Sequence, residues 1–425
     1  MEDSRERTPV ILPRPQHPIS RKLIDPDALW IMQRLRREGY LAYLVGGAVR
    51  DLLLGREPKD FDIGTNARPS EVKALFRNCR LIGRRFRLAH LYVRRRGEAE
   101  KVIEVSTFRS LRKAEEDPER EACLPEDLDA TGSLFGNPEE DAWRRDFTVN
   151  ALFYDLSDFS VIDHVGGLVD LDAGLIRLIG EPDERFSEDP VRMLRAVEFA
   201  VRLGFRIEEE TEAGIRRNAR LLDSASPARL REELRQMQQK GIMGAVLAGA
   251  HRLGFFEVLL PEVEEAEGMF PLLDLLDGRA SGGDVPGEAS YIAALLLPSV
   301  ASRYPIAPGA NLEAAHEAIA PPVEELTRRY HISGHTRHLA REYLLSCYRI
   351  ARGKSYRTKS KLVRKPEFIE AWPLFMAWAR TAGELNEVVD YWQAYLDGQA
   401  QPEGKRPRRR RRRPRRPRPA VVAEA

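Results

Sequence analysis

The chain is poor in cysteine and has no stretch apolar enough to leave water. Its three cysteines, Cys79, Cys123 and Cys347, lie far apart with neither metal-binding nor redox spacing. They read as reduced thiols, which excludes a disulfide scaffold and a cysteine-held metal. No apolar run approaches the ~18 residues that span a bilayer, and Met1–Ser20 is polar and proline-containing, without a signal-peptide core. A soluble, cytoplasmic protein is expected, with no membrane partner. No internal repeat is visible, so a solenoid is excluded. A length of 425 residues exceeds one compact core and implies two or three domains.

What the chain does carry is charge, unevenly placed. Lys405–Arg418 holds one lysine, ten arginines and no acid, and without those eleven cations the net charge of +2 becomes −9. Arg408–Arg413, flanked by Pro407, Pro414 and Pro417, repel one another and cannot form a core. Such a tail is expected to be disordered and to seek a polyanion, although a solubilising or localisation role explains a charge run equally well.

The fold class expected is α+β: a small mixed-sheet head, an all-helical neck and body, and the arginine-rich tail, mainly α overall. The boundaries are an extended leader over 1–24, a head over 25–155, a neck over 156–225, a body over 226–400 and the tail over 401–425. A helix from Asp25 or Asp27 to Glu38 starts on an aspartate cap with Pro26 in its first turn and stops at Gly39. Leu41–Val45 reads as a buried strand, Ala48–Leu54 as a helix and Asp60–Ile63 as a half-buried strand. A helix over Pro69–Arg77 and three strand-like runs ending at Lys101–Thr107 follow, then a long surface loop between Arg109 and Asp141. From Asp183 to Ala400 the periodicity is helical, with Ser281–Ala310 expected as a linker.

Two elements carry chemistry. Asp60 and Asp62 flank Phe61, and on a strand two carboxylates two apart share a face. Held that close they repel unless a cation intervenes, and Mg²⁺, with its hard oxygen ligands, suits the demand. An Asp-x-Asp alone is equally a strand with two solvated acids. Upstream, Gly46-Gly47 between a strand and a helix lets the backbone approach a triphosphate, with Arg50 one turn on. The plain alternative is a turn whose Arg50 pairs with Asp51. Together the two elements make a much stronger signal than either alone.

With Leu44–Gly55, Lys59–Asp62, Arg144–Ala151 and Glu188–Ala196 in this order, the sequence resembles the class II nucleotidyltransferase superfamily of bacterial poly(A) polymerases and tRNA CCA-adding enzymes. The resemblance covers roughly Gln16–Arg206 and fades through the helical half. It implies Asp60 and Asp62 as Mg²⁺ ligands, Asp146 as the third catalytic acid and Arg145 beside the nucleotide. It implies Gly46, Gly47 and Arg50 at the triphosphate, and Asp189, Arg192 and Arg195 on one helix face reading the base. An ion-paired surface explains that last spacing equally well. Glu104 is a further candidate acid, with an ion pair to an arginine as its plain alternative. Glu198 departs from the pattern, standing where some relatives carry another arginine.

Leu81–Leu91, with Arg84, Arg85, Arg87 and His90, and Gln16–Lys22 resemble the poly(A) polymerase branch. No histidine directly precedes an aspartate (Asp163-His164 runs the other way), against the phosphohydrolase module of some CCA-adding enzymes. The implied activity is template-independent transfer of AMP from ATP to RNA 3′ ends. The alternatives are a CCA-adding enzyme using CTP and ATP and, more remotely, a non-catalytic RNA-binding protein of the same fold.

Overall fold

The computed structural model describes residues 8–83, 88–94, 100–113, 133–264 and 266–398. The Arg84–Arg87 cluster, Cys123 and the arginine-rich tail lie outside them. The head is a mixed sheet of eight strands in the order β1-β10-β9-β2-β3-β6-β5-β4. The strands are β1 (Val10–Leu12), β2 (Ala42–Val45), β3 (Asp62–Thr65), β4 (Cys79–Ile82), β5 (Leu88–Val93), β6 (Lys101–Thr107), β9 (Leu152–Asp155) and β10 (Val161–Asp163). Only β3 and β6 pair in parallel; the other neighbours are antiparallel. β7 (Arg109–Lys113) and β8 (Ser133–Phe135) form a separate hairpin stem.

One face of the sheet is covered by α1 (Pro26–Arg37) and α3 (Pro69–Leu75); α2 (Gly47–Leu53) follows β2. The start of α1 is set by Asp25, whose Oδ1 accepts from the Asp27 N–H at 2.8 Å and the Ala28 N–H at 3.2 Å. Ala28, Ile31, Met32 and Leu35, spaced one turn apart, go into the core, each large side chain contributing about 1.5–3 kcal/mol. On the other face α4 (Pro138–Arg144) begins on a capping box. There the Asn137 side chain accepts from the Glu140 N–H, and Glu140 accepts from the Asn137 N–H, both at 3.0 Å. The neck comprises α5 (Gly167–Ala173), α6 (Pro182–Glu188), α7 (Val191–Leu203) and α8 (Glu209–Asn218), with a two-strand pair β11 (Leu175–Ile176) and β12 (Arg206–Ile207). α9 (Pro227–Lys240) opens the helical body.

Four expectations change. The sheet reaches beyond 25–155 on both sides, because Val10–Leu12 pairs with Val161–Asp163. His17 pins the leader there: its Nε2 bonds the Phe159 carbonyl at 2.8 Å and its Nδ1 accepts from the Ile19 N–H at 3.2 Å. Of the loop expected between Arg109 and Asp141, residues 114–132 lie outside the described residues, and those described at its two ends form the strands β7 and β8 and the capped helix α4. Within Ser281–Ala310, residues Glu288–Arg303 form a helix whose members from Ala289 to Ala301 are all buried. It has no polar face and so no amphipathic period to read, and Pro298 sits inside it. Finally, α7 begins at Val191, leaving Asp189 extended at φ −151° ahead of the helix. A residue before proline is pushed out of the helical region, and Pro190 does this here.

Candidate active site

The site is assembled where β2 turns into α2. Gly46 has φ +70° and ψ −132°, a conformation that effectively requires glycine. Its N–H donates to the Leu152 carbonyl at 3.1 Å. A Cβ on Gly46 would stand 3.0 Å from Arg145 Nη1, and one on Gly47 would stand 3.3 Å from Arg50 Nη2. The glycines thus leave room for two guanidinium groups to crowd the turn.

Strand register gathers the acids. Val45 lies opposite Asp62, and the parallel pairing of Ile63 with Val105 sets Asp62 beside Glu104 on the cleft face. Asp60 precedes the strand rather than sharing it, yet lines the same cleft as Asp62 and Glu104. Surrounding protein, then Glu104 and Asp60, push the Asp62 carboxyl up to about 6, against the opposing pull of Arg145. Glu104 Oε2 lies 3.5 Å from His90 Nε2, so the partner observed is a histidine on the neighbouring strand.

Asp62 thus holds its proton more tightly when folded than an ordinary carboxyl. The stabilisation this represents is complete at acid pH and lost as pH rises through about 6. Asp62→Asn is therefore expected to stabilise the metal-free protein at pH 7 by about 1 kcal/mol, discounted for the exposure of the side chain, and by nothing near pH 4. Thermal melts at the two pH values check this, and equal shifts at both would rule it out.

The cleft has two lobes, of about 730 and about 720 Å³, meeting at Asp62, Glu104 and Arg145. Each is of nucleotide-binding size. The glycine lobe adds Gly46, Gly47, Arg50, Lys59, Asp60, Asp146, Arg195, Arg202 and Lys240. The neck lobe adds Arg109, Arg144, Arg185, Glu188, Asp189 and Arg192.

Several expected residues stand in the cleft with their polar groups engaged. Arg50 is buried, held by Asp51 at 2.7 Å and by the Asn150 side chain, with its guanidinium 5.5 Å from the Phe199 ring centroid. That is the ion pair of the plainer reading. Arg145 grips Asp141 at 3.0 Å and the Asn150 carbonyl at 3.2 Å. Asp146 accepts from Arg195 at 2.7 and 3.0 Å, from the Phe147 N–H at 2.8 Å and from Asn150 at 3.2 Å. Asp189 accepts two bonds from Arg229, at 2.8 and 3.0 Å. Arg192 reaches Glu188 at 3.0 Å and lines the neck lobe, whereas Arg195 lines the glycine lobe, so the expected single face is divided.

Comparison with known proteins decides the family. Residues 42–177 match the poly(A) polymerase head domain, 204–267 a probable RNA- and SrmB-binding site of polymerase A, and 309–420 the arginine-rich C-terminus of polymerase A. Poly(A) polymerase I of Salmonella typhi is 39% identical over 93% of this chain and 87% of its own length. The chain belongs to the poly(A) polymerase family. A CCA-adding enzyme of Lactobacillus gasseri is 41% identical, but over 49% of this chain and 49% of its own. Among solved structures, the Bacillus stearothermophilus CCA-adding enzyme in complex with CTP superposes with a TM-score of 0.62 at 25% identity, covering 88% of this chain and 83% of that one.

Within the poly(A) polymerase framework, the two lobes contain residues that sequence reasoning missed. Lys240 and Arg202 both pair with Glu198, at 3.1 and 3.5 Å, so the departure at Glu198 buries an acid that draws two cations to the glycine lobe. Lys240 is 42 residues from its partner, and no local pattern announces it. Arg185, which donates to the Arg144 and Arg145 carbonyls at 2.9 and 2.7 Å, joins neck to head. Its signal was its place just before the quoted Glu188 motif.

Proposed function

We propose that the chain adds AMP from ATP to RNA 3′ ends without a template, releasing pyrophosphate. The observation that carries this reading is the reach of the likeness. Similarity to poly(A) polymerase I runs through 93% of the chain and an arginine-rich C-terminus, while similarity to the CCA-adding enzyme covers 49%.

The donor set suits Mg²⁺. Asp60, Asp62 and Glu104 supply hard carboxylate oxygens, and burial first, then the charges of Glu104 and Asp60, raises Asp62. Among the described residues no group of three such side chains is placed to cage a metal alone. Asp60 and Asp62 would hold it, and bound there it supplies charge neutralisation and acidification of the attacking hydroxyl. The protein's own groups do the rest. Gly46 and Gly47 admit the triphosphate to the backbone, and Lys59, Arg202 and Lys240 set positive charge along its lobe. Asp189 and Arg192 present an acceptor and a donor to a base edge in the neck lobe. Asp146 completes the acidic set of the glycine lobe and orients Arg195 beside it.

Incubation with each nucleotide separately, an RNA primer and Mg²⁺ tests the proposal. A ladder built from ATP alone supports it. CTP incorporation onto tRNA lacking its end would favour the CCA-adding reading, which the shared head keeps in view. A chain with no incorporation at all would favour a non-catalytic RNA-binding role. No described helix is long and apolar enough to cross a membrane, and we place the activity in the cytoplasm, where ATP and transcripts meet.

The arginine-rich tail is assigned to sequence-blind RNA attraction. Deleting residues after Gln401 is expected to weaken RNA binding and flatten its dependence on salt, each lost phosphate contact lowering the slope by about 0.7. Filter binding at several salt concentrations checks this; an unchanged slope would remove the tail from RNA contact.

A further inference from the structure

Many described arginines are matched with carboxylates even where solvent reaches them, as in Arg216 with Glu212, Arg217 with Glu210 and Arg235 with Glu232. One stretch of the body instead gathers six cations with no such match. Residues 354–365 contain Lys354, Arg357, Lys359, Lys361, Arg364 and Lys365 and no acid. All but Lys359 are exposed, and none has a carboxylate partner among the described residues. The short helix Lys359–Leu362 and the turns beside it concentrate that charge, leaving an unmet demand for a polyanion.

A second observation narrows the polyanion. Lys354 Nζ lies 5.8 Å and Lys359 Nζ 5.2 Å from the ring centroid of Tyr391, and Tyr395 stacks on Tyr391 at 6.4 Å with planes 30° apart. The helix Asn386–Leu396 is anchored by buried Val389 and Trp392, whose indole N–H donates to the Ile350 carbonyl at 2.8 Å. That anchoring leaves the two tyrosines half-buried beside the cations. Cations flanking stacked aromatic rings suit unpaired bases on a phosphate backbone.

We propose that this surface is a platform for single-stranded RNA upstream of the growing 3′ end. Phosphates lie against the cations and bases stack on Tyr391 and Tyr395. The inference rests on the reading of RNA as the substrate. None of these residues lines either lobe of the cleft, so the platform serves long primers and leaves short ones untouched.

The test uses the full chain carrying Lys354→Gln, Lys359→Gln and Lys361→Gln together, and a second variant with Tyr391→Leu and Tyr395→Leu. Primers of about 8 and about 30 nucleotides are compared, the shorter being within the span of one single-strand site. For the long primer the lysine variant is expected to raise KM roughly tenfold at unchanged kcat and to lower the salt slope of binding by about 2, three contacts at about 0.7 each. The short primer keeps its wild-type KM. Unchanged binding of the long RNA, or equal losses for both lengths, overturns the platform. So does lost binding of a polyglutamate peptide with RNA binding intact, which assigns the surface to a protein. Should the tyrosine variant melt early, the lysine variant decides the matter. If the wild-type chain adds no AMP, the proposed activity fails, while direct binding of the long RNA still tests the surface.

Discussion

Asp60→Ala is expected to lower AMP incorporation by at least about a thousandfold while RNA affinity stays at the wild-type level. The predicted loss corresponds to about 4 kcal/mol of transition-state stabilisation. Asp60 takes part in no interior packing; it is an exposed side chain on the approach to β3. Its removal therefore leaves the fold intact and acts on the acid cluster alone. With one anion gone, the site keeps Asp62 and Glu104 but loses half of the pair assigned to Mg²⁺, and millimolar metal cannot restore the missing ligand. Single-turnover extension at saturating RNA and ATP, with filter binding alongside, separates chemistry from affinity. Polymerisation within tenfold of wild type would dismiss Asp60 as a metal ligand.

Asp146→Asn is expected to destabilise the protein by about 2–3 kcal/mol. Burial pushes the Asp146 carboxyl up, but the Arg195 charge and the bonds from Arg195, Asn150 and the Phe147 N–H overcome it and hold the group below the ordinary carboxylate range. A lowered carboxyl contributes stability that is present at neutral pH and is lost as acid titrates it. Asparagine removes that contribution and leaves Arg195, on α7, facing Glu233 at 3.5 Å as its remaining acid. Breaking a largely buried pair on one side costs several kcal/mol, reduced here because the Arg195 side chain is 33% exposed. Thermal unfolding at pH 7 and near pH 3 checks the value and its sign. The gap between variant and wild type should shrink in acid, and a deficit that persists there would mean packing, not charge, explains the loss.

The legible parts of this molecule were those that depend on neighbours in sequence. The Asp25 cap, the Gly46-Gly47 turn and the apolar strand after Gly39 are local instructions, and the structure carries them out. The meeting of Gly46, Asp62, Asp146 and Arg195 in one lobe follows from motifs in a recognisable order. Four kinds of feature escaped. Asp189 was placed on a helix because its spacing to Arg192 and Arg195 is helical, and the veto of Pro190 outweighed the period. Glu288–Arg303 reads as linker because glycines and prolines surround it, and a helix buried on every side shows no period to contradict them. The Arg229–Asp189, Lys240–Glu198 and Arg185 contacts join residues about 40 apart. Such pairs are products of tertiary packing, and composition holds no trace of them. Glu104 found its neighbour His90 by strand register, which is set by the whole sheet and not by either strand.

The pairing of Val10–Leu12 with β10 has a bearing on colloidal behaviour. A border strand left bare displays a row of amides and carbonyls ready to zip onto another molecule. In this sheet the ribbon ahead of His17 is itself that border, kept to three residues, and the bond from His17 to Phe159 holds it against β10. Molecules lacking residues 1–13 would keep every cleft residue but uncover β10, whose Val161 is buried in the intact sheet, and are expected to self-associate more readily.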